Sequence, residues 1–387
     1  MPHQDPAVTG PLSGITVVEV ANFIAGPYVA MLLADLGAEV VKLEVPGSGD
    51  PFREWGEDRG ASPQFAAFNR NKRSVECDLK SDAGRRLLSR LLDGADVLVE
   101  NMRPGKMAAL GLGYDELRRS HPRLVYCSVT GMGPTGPASQ QPAYDAIVQA
   151  RSGLWSLFTN REAPEAIGPA LSDQIAGLFG VQGVLAALVY RDRTGLGQRV
   201  EVSMLGASAA FLTAPIAEHT MTGTVDGPYT RAHRSQSYAF VARDGLPLAV
   251  HLSSPRKFWI GLLTTVGALH LAEDDRFKDK SSRVLHYDEL RGILAEIFLT
   301  RDRDEWLDLL WSQDVPAAPI HDVAAALRDP QVLDQHLLRE FGTGTDAVTL
   351  VGCPVTFSAS PCLRAEPVPP LGSHNRRYGL ASGENVP

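Results

Sequence analysis

The sequence lacks a cysteine pair, a basic excess, a histidine cluster and a long apolar run, and each absence removes a class of protein. Its four cysteines, Cys77, Cys127, Cys353 and Cys362, include no C-x-x-C. That argues against a disulfide framework or a zinc knuckle and fits a reducing cytoplasm. A net charge of -8 and a pI near 5.7 leave no basic face of the kind non-specific nucleic-acid binding needs. The ten histidines show no H-x-x-x-H spacing, so no metal site is expected. No window reaches the roughly 18 uninterrupted apolar residues of a membrane span. The start, MPHQDPAVTGPLSG, has no basic stretch followed by an apolar one. The chain therefore reads as neither exported nor membrane-spanning, and any anionic ligand must find a local basic cluster.

What is present is a chain of 387 residues, 44% hydrophobic and 21% charged. It exceeds the ~250–300 residues at which single cores stop growing, so two unequal domains are expected. Apolar runs at Ile15 to Val20, Glu39 to Leu43, Ser74 to Leu79, Ala95 to Glu100 and Leu124 to Thr130 alternate with helical patterns. Pro27 fits an early helical position and Gly37 a helix end. Strands spaced by helices predict a largely parallel sheet covered on both faces, a Rossmann-like α/β layer. Tyr144 to Arg193 is helical in pattern, and Arg199 to Met204 reads as a further strand. Ser237 to Ala242 and Leu246 to His251 form a hairpin around Asp244-Gly245, and helical patterns from Phe258, Leu290 and Glu305 complete a smaller α+β unit. The proline- and glycine-rich tail, with one short strand near Val355 to Phe357, is too poor in core residues to be a domain and is expected to wrap back over the first one.

Four features carry candidate chemistry. Gly131-Met132-Gly133-Pro134-Thr135-Gly136 matches G-x-G-x-x-G, but Pro134, Pro137 and Pro142 prevent a helix from starting where a pyrophosphate would need its N-terminus. It therefore reads as a structural loop. Arg70-Asn71-Lys72-Arg73 with Lys80, and Arg103 with Lys106, concentrate positive charge that either holds phosphates or lies on a solvated surface. Gly177, Gly180 and Gly183 form a stripe on a helix, permitting close approach to another helix or a ligand, or merely tolerated in a core helix. Asp173 opens that helix. A carboxylate there can accept hydrogen bonds from helix-start N–H groups, which would keep it ionised and aimed; capping alone also explains it.

At these residues the sequence resembles the class III CoA-transferases, the formyl-CoA transferase/carnitine CoA-transferase family. The matching runs span nearly the whole chain: PLSGITVVEVANFIAGP, LADLGAEVVKLEVPGSGDPFR, FNRNKRSVECDLK, ADVLVENMRPG, YCSVTGMGPTGP, YDAIVQARSGL, LSDQIAGLFGVQGVLAAL, RTGLGQRVEVSM and GCPVTFSASP, with LGSHN near the end. The resemblance implies a Rossmann-like large domain over 1–205, a linker over 206–224, a small α+β domain over 225–330 and a return segment over 331–387. It also implies a homodimer of interlocked rings. Coenzyme A and acyl-CoA enter as substrates, with no tightly bound cofactor, and a carboxylic acid is the acceptor. By motif, Cys77, Asp78, Leu79, Lys80, Asn101, Met102 and Arg103, with Lys106 nearby, fall to the adenine and phosphates. Ile24, Ala25 and Tyr144 fall to the pantetheine arm, and Asp173 to the nucleophile. Asp145 matches a glutamate that some transferases set beside the nucleophile, where it orients Asp173, adjusts its pKa or caps a helix.

Two other functions are open to such a chain. An α-methylacyl-CoA racemase needs a base on each face of the reacting carbon, and the racemase positions for histidine and glutamate here read Tyr144 and Ala239. A non-catalytic acyl-CoA-binding homologue would bind without turnover. Formyl-CoA transferase has a glutamine where this chain has Ile24, and a glycine-rich flap where it has His233-Arg234-Ser235-Gln236. Formate and oxalate are thus poor candidate acids. Ile24 suits a larger acid, and His233 or Arg234 either meets a second carboxylate or is an ordinary loop residue.

Overall fold

The computed structural model describes residues 10–55, 62–253, 255–344, 347–362 and 364–380. Residues 1–9 and 381–387, on which part of the export and return-segment expectations falls, lie outside them. The described residues divide into two compact units: 10–155 with 166–214 and 336–380, and 156–165 with 215–335.

The first unit alternates strands and helices in the order β1 (Thr16–Val20), α1 (Ala25–Asp35), β2 (Glu39–Glu44), α2 (Pro63–Asn69), β3 (Lys72–Glu76), α3 (Asp82–Leu92), β4 (Val97–Glu100), α4 (Lys106–Ala109), α5 (Tyr114–Ser120), β5 (Val125–Thr130), α6 (Asp145–Ser152), α7 (Leu171–Thr194), β6 (Arg199–Ser203) and α8 (Met204–Phe211). The strands form one parallel sheet in the order β3-β2-β1-β4-β5-β6, with Val17 of β1 opposite Val40 of β2 and Val97 of β4. Both faces are covered, which is why the strands read as continuous apolar runs. Val18, Val41, Val75 and Leu98 pack with Leu88 of α3 and Leu117 of α5, while α1 contacts β4 and β5, α7 contacts β5 and β6, and the two helices contact each other. Successive strands are added to one side of β1 up to β3 and to its other side from β4 onward, so the strand order switches between β1 and β4. A crevice therefore opens beyond their carboxyl ends, the place where doubly wound sheets bind ligands.

The sheet interior holds charge as well as hydrocarbon. Glu19 of β1, fully buried, takes Lys42 of β2 on one carboxylate oxygen and Lys72 of β3 on the other, each at 2.8 Å. This explains why β3 begins at Lys72 rather than at Ser74, where the sequence predicts it. A lysine reads as a loop residue unless its ammonium is neutralised inside.

Residues 336–380 return to the edge strand β3. The N–H of His374 bonds the Ser74 carbonyl at 3.0 Å, the Asn375 side chain takes the Glu76 N–H at 2.9 Å, and Arg73 pairs with Glu366. Val355 to Phe357 form no strand, and the expectation there is corrected. Instead, β-strands at Leu338–Phe341 and Val348–Val351 pair antiparallel. Pro354 removes a donor next to the predicted run, whereas the real strands have each other as partners. The same segment brings Cys362 against Cys353; burial first, then that neighbour, pushes the Cys362 thiol up to about 12.

In the second unit, strands Ser237–Val241, Pro247–His251 and Ala317–Pro319 form an antiparallel sheet. The hairpin turns at Asp244-Gly245 with Gly245 at φ +78°, as its sequence predicts. Trp259, Leu262, Leu290, Phe298 and Trp306 fill its core.

Candidate active site

At the carboxyl ends of β1, β4 and β5 the loops line a cavity of about 260 Å³ that is open to solvent on one side. Asn22, Phe23, Ile24 and Ala25 supply one wall, Asn101, Met102, Arg103 and Pro104 a second, and Thr130, Gly131, Met132, Gln141, Ala143 and Tyr144 a third, with Asp173 and Met204 completing it. Asp173 is the only acid and Arg103 the only cation among these lining residues.

The first two walls are locked to each other. Asn101 accepts the Asn22 N–H at 3.0 Å and donates to the Asn22 carbonyl at 2.8 Å, so its amide is already engaged inside the protein. The Met102 N–H donates to the buried Glu100 carboxyl at 2.8 Å. Gly131 allows the third wall to close, because a Cβ on it would lie 2.4 Å from the Ala143 methyl. The first two residues of the G-x-G-x-x-G match, Gly131 and Met132, thus form cavity wall, a role the sequence reading did not give them.

Asp173 sits in the first turn of α7. Contrary to the sequence expectation, no described residue donates a hydrogen bond to its carboxyl. Asp145, the first residue of α6, performs the capping instead: its Oδ1 accepts the Asp173 N–H at 3.1 Å, and its Oδ2 is held by Gln149. Gln149 also donates to the Pro169 carbonyl at 3.0 Å, tying the two helix starts together. The Asp173 carboxyl is therefore pushed up to about 7, first by loss of hydration and then by the Asp145 charge. Such a carboxyl is half ionised near neutrality and has no internal partner to give up before it reacts.

The glycine stripe explains how α7 reaches this position. A Cβ on Gly177 would lie 2.5 Å from the Tyr28 ring, and one on Gly180 2.5 Å from a Val29 methyl, both on α1. A Cβ on Gly183 would meet Val200 of β6 at 2.5 Å. Close packing, against a neighbouring helix at Gly177 and Gly180 and against β6 at Gly183, is thus the correct reading of the stripe.

The structure brings Ile24, Ala25, Asn101, Met102, Arg103, Tyr144 and Asp173 to one cavity, but not the remaining candidates. Cys77 is buried, its thiol bonded to the Gly84 carbonyl at 3.3 Å and pushed up to about 12 by burial. Asp78, Leu79, Lys80 and Lys106 do not line the cavity, and Lys80 and Lys106 are exposed. The basic run is neither a phosphate site nor a solvated face. Arg70 pairs with Asp35, Lys72 with Glu19 and Arg73 with Glu366. Arg234, in the second unit, already faces Glu218 at 3.2 Å and Asp226 at 3.5 Å, and His233 stacks on Tyr287. Sequence reasoning missed Asn22, Phe23, Thr130 and Met204. None has a local signature, and Phe23 adopts φ +64°, which its residue type argues against.

Residues 12–375 match the description of CoA-transferase family III. The succinate–glutarate CoA-transferase of Agrobacterium fabrum is 34% identical, covering 100% of this chain and 98% of its own. The acetyl-CoA:oxalate CoA-transferase of Acetobacter aceti is 35% identical over 90% of each chain. A crystal structure of a CaiB/BaiF family protein from Brucella suis is 33% identical, with a TM-score of 0.86 over 95% of this chain and 98% of that one. The chain accordingly belongs to CoA-transferase family III and is a CoA-transferase.

Proposed function

We propose that the protein moves coenzyme A from an acyl-CoA to a free carboxylic acid through a thioester on Asp173. The observation that carries this reading is the Asp173 carboxyl: the only acid among the described residues that line the cavity, accepting no hydrogen bond from any of them and pushed up to about 7. An Asp173 oxygen attacks the thioester carbonyl. The C–S bond breaks, leaving a mixed anhydride and a CoA thiolate. The thiolate then attacks the aspartyl carbonyl, which releases the first acid as a carboxylate and leaves aspartyl-CoA. An incoming carboxylate repeats the two steps in reverse, so one thioester replaces another without an external energy source. Water must stay out while the anhydride and thioester exist.

Arg103, with no ion-pair partner among the described residues, is suited to a phosphate of CoA, with Lys80 and Lys106 further out. Ile24, Ala25 and Tyr144 then border the pantetheine arm, and Asp145 positions Asp173. The exposed apolar side chains Leu178, Phe179, Val189 and Tyr190 of α7 fit a homodimer, the interlocked arrangement that the family resemblance implies. Cytoplasmic location follows from the same reading. The named relatives use glutarate and oxalate, both dicarboxylates, so the acceptor panel runs from mono- to dicarboxylic acids.

The test is covalent labelling. Incubation with acyl-CoA followed by hydroxylamine or borohydride is expected to leave a mass change on the peptide that contains Asp173. An Asp173→Ala protein that transfers CoA as fast as its parent overturns the mechanism. Solvent deuterium entering the α-carbon without an acceptor acid would instead indicate racemase chemistry.

A further inference from the structure

The loop after β1 is gripped from below by buried charges that never reach the cavity. Lys42 Nζ donates to the Ala21 carbonyl at 2.7 Å, and Lys72 Nζ donates to the Pro27 carbonyl at 2.9 Å. Between these two points, Asp50 Oδ1 accepts the Phe23 N–H at 3.2 Å and the Phe52 N–H at 3.0 Å, while its Oδ2 pairs with Lys42 at 2.9 Å. Glu19, Lys42, Asp50 and Lys72 are all buried at 1% exposure or less.

The middle of the gripped segment is strained. At φ +64° Phe23 is in the left-handed region, which costs an ordinary L-residue about 1–2 kcal/mol. Asparagine or glycine would adopt it more readily, and Asn22, one position earlier, is not the residue that does. The Phe23 ring is seated edge-on against Phe52 at 5.4 Å and Tyr144 at 5.6 Å. Directly after it, Ile24 and Ala25 begin α1 on the cavity wall. Buried ion pairs add little net stability compared with packed hydrocarbon. Their value here lies in holding the Ala21 carbonyl and the Phe23 N–H, loop groups that lie outside β1 and α1.

We propose that Asp50 is a positioning residue for CoA transfer: by holding the Phe23 N–H it keeps the loop after β1 in its left-handed turn and so fixes the cavity wall that faces the substrate. This rests on the assignment of the Asp173 cavity as the transfer site. Asparagine cannot replace Asp50. With its oxygen toward the two N–H groups its NH₂ meets the Lys42 ammonium, and reversed it presents NH₂ to the N–H groups.

The experiment is a double-mutant cycle read in kcat, KM and melting temperature. Asp50→Asn is expected to lower kcat by about tenfold or more in the parent, but by less than about threefold in the Phe23→Gly background, where the turn needs no restraint. An equal loss in both backgrounds overturns the proposal, because an unpaired Lys42 would weaken both proteins alike. Phe23→Pro leaves the buried charges untouched while removing the N–H and forbidding positive φ, so it decides the matter if Asp50→Asn does not fold. It should lose kcat by about tenfold or more relative to Phe23→Ala, which gives up the same ring contacts but keeps the N–H, and equal kcat in the two variants overturns the proposal. Full turnover by Phe23→Pro overturns the proposal. Asp173→Ala is the control: if it transfers CoA normally, the site assignment fails, a result separate from either outcome of the cycle.

Discussion

In the proposed mechanism the carboxyl of Asp173 joins stability and activity at a single residue. Its pKa rises from 3.8 to about 7 because folding strips its water and leaves Asp145 beside it. Between those values the folded protein keeps a proton that the unfolded chain has released, so stability falls as pH rises through this window. Above it the ionised group costs on the order of 4 kcal/mol. Asp173→Asn should therefore melt higher than the parent at pH 8, with the gain fading as pH falls toward 4; equal melting temperatures at pH 8 would refute the burial account. If Asp173 is the nucleophile as proposed, activity runs the opposite way, because attack needs the anion: kcat/KM should climb with pH through about 7. Asp145→Asn keeps an oxygen for the Asp173 N–H but removes a charge, so the climb should shift to lower pH. Asp145→Ala should shift it too and also lose about 1 kcal/mol of helix capping in a denaturant melt. Family resemblance picks out Asp173 in the sequence, and its residue type is right for a nucleophile. Its environment was not legible, because the capping oxygen comes from another helix and burial depends on three loops distant in sequence.

Among the elements, α7 best separates what a pattern encodes from what only packing reveals. Three glycines at three-residue spacing announce a close approach, but only the fold identifies the neighbours as Tyr28, Val29 and Val200. Alanine at position 180 would raise helix propensity by about 1 kcal/mol, yet its Cβ would overlap a Val29 methyl at 2.5 Å on a stiff β-branched side chain. Overpacking of this kind costs about 1–3 kcal/mol, so Gly180→Ala should lower the urea midpoint, and Val29→Ala in the same protein should restore much of it. Destabilisation that Val29→Ala leaves unrelieved would mean that the contact is not the cause. The alternating β/α order was legible for a related reason: apolar runs and helix punctuation are local. The start of β3 was not, since Lys72 belongs in a strand only once Glu19 is beside it. The pairing of Leu338–Phe341 with Val348–Val351 was likewise hidden, because strand identity there comes from the partner.

For the whole molecule, the question is what covers the outer face of α7. Leu178, Phe179, Val189 and Tyr190 are 55%, 38%, 52% and 46% exposed, and Phe211 on α8 is 59% exposed. Large apolar faces of this kind are uncommon on a monomer. By length and mean hydropathy α7 is also the one helix among the described residues that could cross a membrane. It cannot do so without withdrawing its glycine stripe from α1, and with it Asp173 from the cavity. The homodimer proposed above would cover the face at no such loss, and on that reading sedimentation should give a dimer with no monomer at micromolar concentration. Replacing both Leu178 and Val189 with aspartate puts two charges into that interface. The double variant should sediment as a monomer or fail to stay folded, and the melting temperature of the parent should rise with protein concentration while that of a monomeric variant does not. A parent that sediments as a monomer with a concentration-independent melting temperature would contradict the dimer, and flotation with lipid vesicles would point to the membrane instead.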